Sequence, residues 1–383
     1  MRKKLMAILL MVVMLLGMST VVYADSETSV QITLTVTNGS EFYISESKDI
    51  LVMKELEIPY FDLELYGLQE YYYNPECYIG EEQTAGTKST ANGHVTLLHA
   101  IIYMTEIFEC EIPQEEAGQG ALYQSGKLTD YIVISGKAGS SFISDLWGLG
   151  YNLNYYINYE YPLGKEGYGA SSDQILLEDG DHISIHKIAS TDETITGSSF
   201  AYFESDGVKD LVSAEKGEKV NFDLKYTAPG ADYVTGSVAG SGITVYYTSA
   251  LTSSPSKWQE IGTTDSNGHV TLDTSDLEAG TYYVGTDSAG AAFTSYLEHA
   301  PGMIVLIITE AEKEIVYGDV NGDSEIDVID ASLVLRYAAN LTVDIDLSAA
   351  DVNGDQEIDS IDASLILRYA AKLITVFPVE SNG

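Results

Sequence analysis

The stretch that decides how the end of this chain folds is Gly318-Asp319-Val320-Asn321-Gly322-Asp323-Ser324-Glu325-Ile326-Asp327-Val328-Ile329-Asp330, because it occurs twice. It returns 32 positions later as Ala350-Asp351-Val352-Asn353-Gly354-Asp355-Gln356-Glu357-Ile358-Asp359-Ser360-Ile361-Asp362. Each copy runs on into Ala-Ser-Leu, then Val or Ile, then Leu-Arg-Tyr-Ala-Ala. Oxygen-bearing side chains stand at positions 1, 3, 5, 9 and 12 of a twelve-residue loop, a spacing that turns alternate residues toward one point. A hard cation such as calcium takes six to eight oxygens at about 2.3–2.6 Å, which such a loop supplies. One such acidic run arises easily as a solvated surface turn; two copies in register, each leading into the same helix, argue for a metal.

In the first copy Asp319, Asn321 and Asp323 offer side-chain oxygens, Glu325 its backbone carbonyl, Asp327 a contact through water, and Asp330 the closing carboxylate. Asp351, Asn353, Asp355, Glu357, Asp359 and Asp362 take the same roles in the second copy, so two calcium ions are expected. These are EF-hand-like loops in which position 6, usually Gly for a left-handed turn, is Ser324 and Gln356. The following helices carry an apolar stripe at Leu333, Val334, Tyr337, Ala338 and Leu341, repeated at Leu365, Ile366, Tyr369, Ala370 and Leu373, and the two stripes are expected to pack on each other. Without metal the clustered carboxylates repel, so folding and calcium binding should be coupled. Tyr317 before the first loop and Phe377-Pro378 after the second helix suggest a clasp between the module's ends.

With these residues in view, the segment resembles a type I dockerin, a small all-α calcium-binding module that plugs secreted proteins into cohesin domains. The absence of an entering helix and the closing Asp in place of Glu match that family. The resemblance implies that cohesin is met at Val328, Ile329, Leu335 and Arg336 in the first copy and at Ser360, Ile361, Leu367 and Arg368 in the second. The residues agree in part: Leu335 and Leu367 lie off the core stripe beside arginines, a composition suited to an interface. Val328-Ile329 and Ser360-Ile361 are not identical, which leaves open whether both faces are used.

Upstream, residues 197–311 are short β-branched runs broken by Gly, Asp-Ser-Asn-Gly and Ala-Gly turns, which predicts an all-β sandwich. Strands are expected in 217–224, 242–248, 258–264, 265–272, 277–284 and 303–309, with Trp258 in the core. The stretch resembles a bacterial immunoglobulin-like domain, which implies a spacer or adhesive module.

Residues 25–190 mix strands with a helix at His94–Phe108, whose Leu97, Leu98, Ile101, Ile102, Met104 and Ile107 form one broad stripe. An aromatic strand and turn follow at 146–162, then Leu177-Glu178-Asp179-Gly180-Asp181-His182-Ile183. This order resembles the β-grasp-like α+β domain of transcobalamin and of many bacterial surface proteins; no ligand-specific residue carries over. His182 and His186 share a strand face about 13 Å apart, too far for one metal. Tyr71, Tyr72, Tyr73, Tyr155, Tyr156, Tyr159, Tyr161 and Tyr168, with Trp147, offer either half-buried packing or an aromatic strip for a glycan.

The chain begins like a secretory signal peptide over residues 1–24: Arg2, Lys3 and Lys4, an apolar run from Leu5 to Leu16, and small residues around Val22-Tyr23-Ala24. The expected layout is therefore 1–24 signal, 25–190 α+β, 197–311 β-sandwich and 316–383 dockerin, strung on short polar joints. The mature protein is expected to be secreted, at the cell surface or in an extracellular complex, with no membrane span. Cys77 and Cys110 leave a single disulfide open.

Acidic residues number 58 against 19 basic ones in 383, a formal net charge of −39. That imbalance excludes nucleic acid and anionic membrane surfaces, which require basic patches. No G-x-S-x-G, H-E-x-x-H or Cys-His pairing is present, and no carboxylate pair is singled out for glycoside cleavage. The sequence reads as a non-catalytic component of a cohesin–dockerin assembly of cellulosome type, its dockerin held by the cohesin of a scaffoldin and its N-terminal domain presenting a site for a glycan or other extracellular ligand. A polysaccharide-degrading or proteolytic enzyme of unfamiliar kind and a structural adhesin are the alternatives.

Overall fold

The structure, a computed structural model, describes residues 28–39, 41–76, 85–137, 141–150, 153–162, 171–187, 199–229, 235–286, 299–310 and 315–381. The signal segment, Cys77, Tyr168 and the joint at 190–197 lie outside the described residues. The chain divides into two compact units, Met1–Glu310 and Ala311–Gly383. Among the described residues no helix is long and apolar enough to cross a membrane.

The first unit opens with β1 (Ser29–Asn38), whose alternate residues Ile32, Leu34 and Val36 are buried. A two-residue strand β2 (Glu41–Phe42) and β3 (Lys54–Pro59) both pair with it antiparallel. The helix Leu97–Met104 is buried at every position, so it needs no polar face. It passes directly into a π-helical turn, Thr105–Glu109, where the sequence predicted one continuous helix. Next come a small hairpin, β4 (Ile132–Ser135) with β5 (Phe142–Leu146), and then β6 (Leu153–Ile157) and β7 (Asp181–Lys187). β7 lies parallel to β1 and antiparallel to β6, which places two buried strands at the sheet centre.

Among the described residues, ten further strands make two five-stranded sheets. The first joins β8 (Ser199–Glu204), β10 (Lys219–Pro229), β11 (Thr235–Ala239), β14 (His269–Asp273) and β16 (His299–Ala300). The second runs β13-β12-β15-β17-β9, built from β9 (Leu211–Glu215), β12 (Thr244–Thr248), β13 (Gln259–Thr263), β15 (Gly280–Gly285) and β17 (Met303–Thr309). Phe203, Phe222 and Leu224 of one sheet share a core with Val245, Val284 and Leu306 of the other. All six strands expected in this stretch are present, and β8, β9, β11 and β16 are additional.

These two halves do not hang as separate beads. The Phe42 amide donates to the Ser253 carbonyl at 2.9 Å, and Phe42 stacks on Trp258 beside Val52 and Met303. Trp258 thus closes the seam between the halves instead of filling the sandwich core. Tyr156 and Tyr159 pack with Tyr202 and Ala300. Asp210 meets His182 at 2.6 Å and also takes the Tyr159 hydroxyl, while His182 Nε2 stands 3.0 Å from Thr35 Oγ1. Burial raises the Asp210 carboxyl, but the hydrogen bond and charge of His182 outweigh it and hold the pKa below the ordinary value. A short, polar joint in the sequence carried no sign of this, because the seam is made by residues far from it.

Two buried histidines give the first unit a defined response to acid. His99 stands at the start of its helix, with Nδ1 at 2.9 Å from Thr96 Oγ1 and Nε2 at 3.0 Å from the Phe61 carbonyl. Burial lowers its pKa from 6.5 to about 4, and burial followed by the nearby His182 lowers that of His186 to about 3. A histidine held neutral in the fold contributes stability that is complete above its unfolded value and is lost as pH falls toward its native one. Both tryptophans, Trp147 and Trp258, lie in this unit, so their fluorescence follows its unfolding. Denaturant titrations should show stability falling between pH 6.5 and 4, with His99 accounting for on the order of 3 kcal/mol. His99→Gln should flatten that slope; an unchanged slope would remove His99 from the account.

Candidate metal centre and the helices beside it

In the second unit each acidic loop is tied together by its own backbone amides. Asp319, nearly buried, accepts from the amides of Gly322 at 2.8 Å, Asp323 at 3.2 Å and Ser324 at 2.9 Å. Asp351 repeats two of these, from Gly354 at 2.7 Å and Gln356 at 2.9 Å. Asn321 and Asn353 accept the amides of Asp323 and Asp355 and donate side-chain N–H to those same aspartates. Asp323 and Asp355 in turn accept the amides of Glu325 and Glu357. Each carboxylate is thereby fixed in direction by the loop.

The closing aspartates do more. Asp330 and Asp362 are fully buried at the third position of the helices Val328–Ala338 and Ser360–Ala370. One Asp330 oxygen takes the Val320 and Asn321 amides at 2.9 and 3.3 Å, and the other takes the Asp327 amide at 2.9 Å. Asp362 does the same with Val352, Asn353 and Asp359. Asp327 and Asp359 are the N-caps, accepting the Ile329 and Ile361 amides at 2.7 and 2.6 Å. A capping box therefore joins loop and helix in both copies, with Asp330 or Asp362 as its N3 residue. Burial pushes the Asp330 and Asp362 carboxyls up, against the opposing pull of the amides they accept.

The donor set suits a hard cation: every predicted ligand is an oxygen, and the directed carboxylates belong to loops of matching backbone. Among the described residues, however, no three His, Cys, Asp or Glu side chains already stand together as a metal-binding group. Four of the six predicted ligands in each loop are aspartates; Asn321 or Asn353 and the Glu325 or Glu357 carbonyl complete the set, and its convergence is left to an ion. Elsewhere, His182 and His186 are buried on β7, each with its own partner, Asp210 and Thr37. Tyr71, Tyr72, Tyr156 and Tyr159 are buried, which removes four of the eight tyrosines of the expected aromatic strip from the surface.

The predicted partner-facing residues point outward. Val328, Ile329 and Leu335 are 62%, 53% and 45% exposed, and Ile361 and Leu367 are 54% and 41% exposed. Arg336, Ser360 and Arg368 are exposed beside them. The inner face differs from the expected stripe. Val334 and Ile366 are buried, but Tyr337 is partly outward, and Leu341 and Leu373 lie beyond the helix ends and are exposed. Helices of eleven residues are too short to carry a stripe that far. Ala331, Ala363, Val320, Val352, Ala349 and Ala350 complete the core.

The ends of the module meet, as Tyr317 and Phe377 suggested. Phe377 is buried and stacks on Tyr369 with centroids 4.7 Å apart, and Tyr317 packs against the same core. A side chain at Gly318, where φ is +91°, would strike the Phe377 ring at 2.7 Å. The missing glycine at position 6 also leaves its mark: Ser324 and Gln356 hold φ of +72° and +69°. Side chains there cost about 1 kcal/mol or more each, of which glycine's greater unfolded-state freedom returns part. Ser324→Gly with Gln356→Gly should therefore raise the melting temperature of the calcium-loaded Ala311–Gly383 unit by a few degrees; a lower melting temperature would show that the left-handed turns carry no strain.

Sequence reasoning passed over Glu106 and Glu109, which line up after the apolar helix in the first unit, although two carboxylates on a buried run were a signal. Glu106 is fully buried and accepts from Tyr66, Gly118 and Leu122 at 2.7, 2.7 and 3.0 Å. The disulfide reading rests on Cys77, outside the described residues, while Cys110 is half-buried.

Comparison with known proteins agrees with the loops. The family model for the dockerin type I domain matches residues 317–370. No curated protein matches the chain. Two solved chains resemble it, both from complexes of the third cohesin of ScaC with the ScaB dockerin of Acetivibrio cellulolyticus that display a type I interaction. In one the dockerin is mutated in its N-terminal helix, and identity is 35% over 18% of this chain and 99% of that one, with a TM-score of 0.17. In the other the mutation is in the C-terminal helix, and identity is 37% over 18% and 97%, again with a TM-score of 0.17. Through residues 317–370, this chain belongs to the type I dockerin family.

Proposed function

We propose that this protein is a secreted, non-catalytic component of a cohesin–dockerin assembly of cellulosome type. Its dockerin binds two calcium ions through Asp319, Asn321, Asp323, Glu325, Asp327 and Asp330 and through Asp351, Asn353, Asp355, Glu357, Asp359 and Asp362. The observation that carries this reading is a division of labour on two short helices. Each turns Val334 or Ile366 into the module's own core and leaves Ile329 and Leu335, or Ile361 and Leu367, exposed beside an arginine. Apolar side chains in such a patch, next to charge, suit a protein interface. The complexes of the similar chains make cohesin the partner of choice.

Calcium would supply what the loops lack, a positive centre for carboxylates that otherwise share only backbone amides. The chain's own residues set the direction of each donor and link it, through Asp330 and Asp362, to the start of the helix that meets the partner. Ordering of the loop and presentation of Val328, Ile329 and Ser360, Ile361 are then one event.

The first unit is the cargo. Its sheet order β3-β1-β7-β6, with a parallel central pair and a helix against one face, supports the β-grasp-like reading of residues 25–190. The two packed sheets support the immunoglobulin-like reading of 197–311. The seam between them favours a joint presenting surface over a spacer and a separate head.

Surface capture on an immobilised type I cohesin tests the assembly reading. The full chain should bind with calcium and be released by a chelator. Alanine at both Ile329 and Leu335, or at both Ile361 and Leu367, should weaken capture less than tenfold if the copies substitute for each other. All four changes together should weaken it at least a hundredfold; retention by that variant would refute the interface.

A further inference from the structure

We propose that the first unit carries a binding site for protonated primary amines in the cavity closed by Glu109, Tyr43 and Trp147. This deepens the reading of that unit as cargo that presents a ligand site, and it rests on that reading. The cavity measures about 700 Å³ and lies against the π-helical turn, with Glu109, Cys110, Tyr131 and Trp147 in its lining. That volume suits a small molecule or a side chain from a larger one.

Glu109 is 6% exposed, and its Oε1 has no hydrogen-bond partner. The carboxyl is held by Tyr43 and by the backbone of Glu46, so one acceptor is engaged and the other waits. An unmatched buried acceptor destabilises the fold, and a ligand N–H would offset that cost. Glu106, three residues earlier and fully buried, has both oxygens engaged by the protein, so the open acceptor is specific to Glu109.

The surroundings favour a positive charge. Glu46, Glu111 and Asp130 also line the cavity, against the single Lys127. Tyr43 and Trp147 stand 5.2 Å apart, and aromatic faces attract cations. Trp147 is fixed there: its indole N–H donates to Thr105 Oγ1 at 2.9 Å, and Thr105 donates to the Ile101 carbonyl at 2.6 Å. Three uncommon backbone features line the same cavity, the π-helical turn and the left-handed φ of Glu111 and Trp147, +53° and +54°. π-helical turns and left-handed non-glycine residues gather at functional sites because packing elsewhere must sustain them. The open acceptor separates a protonated primary amine, such as a lysine side chain, from a quaternary ammonium ion, which has no donor, and the excess of acidic side chains separates it from a neutral sugar, which has no charge.

The test uses the full chain labelled with ¹⁵N at tryptophan, in the presence of chelator so that dockerin function is switched off. Two indole signals are expected, Trp147 and Trp258, and the second is an internal control. Pentylamine should shift the Trp147 signal saturably, leave Trp258 in place, and act at least tenfold more strongly than pentan-1-ol. Glu109→Gln should weaken the amine at least tenfold. Equal response to the alcohol, no saturable shift, a shift with cellobiose but not with the amine, or an unaltered Glu109→Gln would each overturn the proposal. Should that variant lose its dispersed spectrum, the contrast between amine and alcohol on the unaltered chain decides. Because cohesin capture requires calcium and this titration excludes it, either reading can fail without the other.

Discussion

The constraint on which this structure depends is what a buried carboxylate can touch in a chain with 58 acids and 19 basic side chains. Leaving such a group unpaired in the interior is expensive, and too few cations exist to pair them all. The fold answers with backbone amides. Asp330 and Asp362 collect three apiece, Asp319 collects three, and Glu106 takes two together with a tyrosine hydroxyl. At Asp330, Asp362 and Glu106 these contacts tie a loop to a helix, and at Asp319 they close a loop on itself, so the acids that would oppose folding become its fasteners. Asp210 is met by a side chain instead: His182 stands 2.6 Å from it and joins two halves of the first unit.

This economy also separates the acids with work left to do. In the dockerin loops the amides orient carboxylates without neutralising them, and a pair of calcium ions would supply four positive charges where they are concentrated. In the first unit Glu109 has one oxygen engaged and one open beside two aromatic rings. The same physics makes both a candidate cation site: a partly satisfied carboxylate, held in direction by its surroundings.

How much of this was legible in the sequence depends on distance along the chain. The dockerin was, because all six expected donors of each loop lie within twelve consecutive residues and the repeat displays them twice. The outward face of the helices followed from Leu335 and Leu367 falling off the apolar stripe. The stripe itself was drawn too long, since nothing in Leu341 or Leu373 announces that the helix has ended. In the middle stretch, alternation and Gly turns exposed six strands, while β8, β9, β11 and β16 take their places through tertiary pairing. The cavity of Glu109 draws on residues from 43 to 148, and the seam of Trp258 reaches back to Phe42. A reading of local pattern has no access to such meetings.

The central claim is that the two amide-directed loops are calcium sites whose closing carboxylates are Asp330 and Asp362. Calorimetric titration of calcium into the chelator-stripped full chain tests it directly. Two ions bound per chain, falling to one with either Asp330→Asn or Asp362→Asn, is the predicted result. Fewer than one ion bound by the unaltered chain, or an unchanged stoichiometry and affinity in both variants, would contradict it.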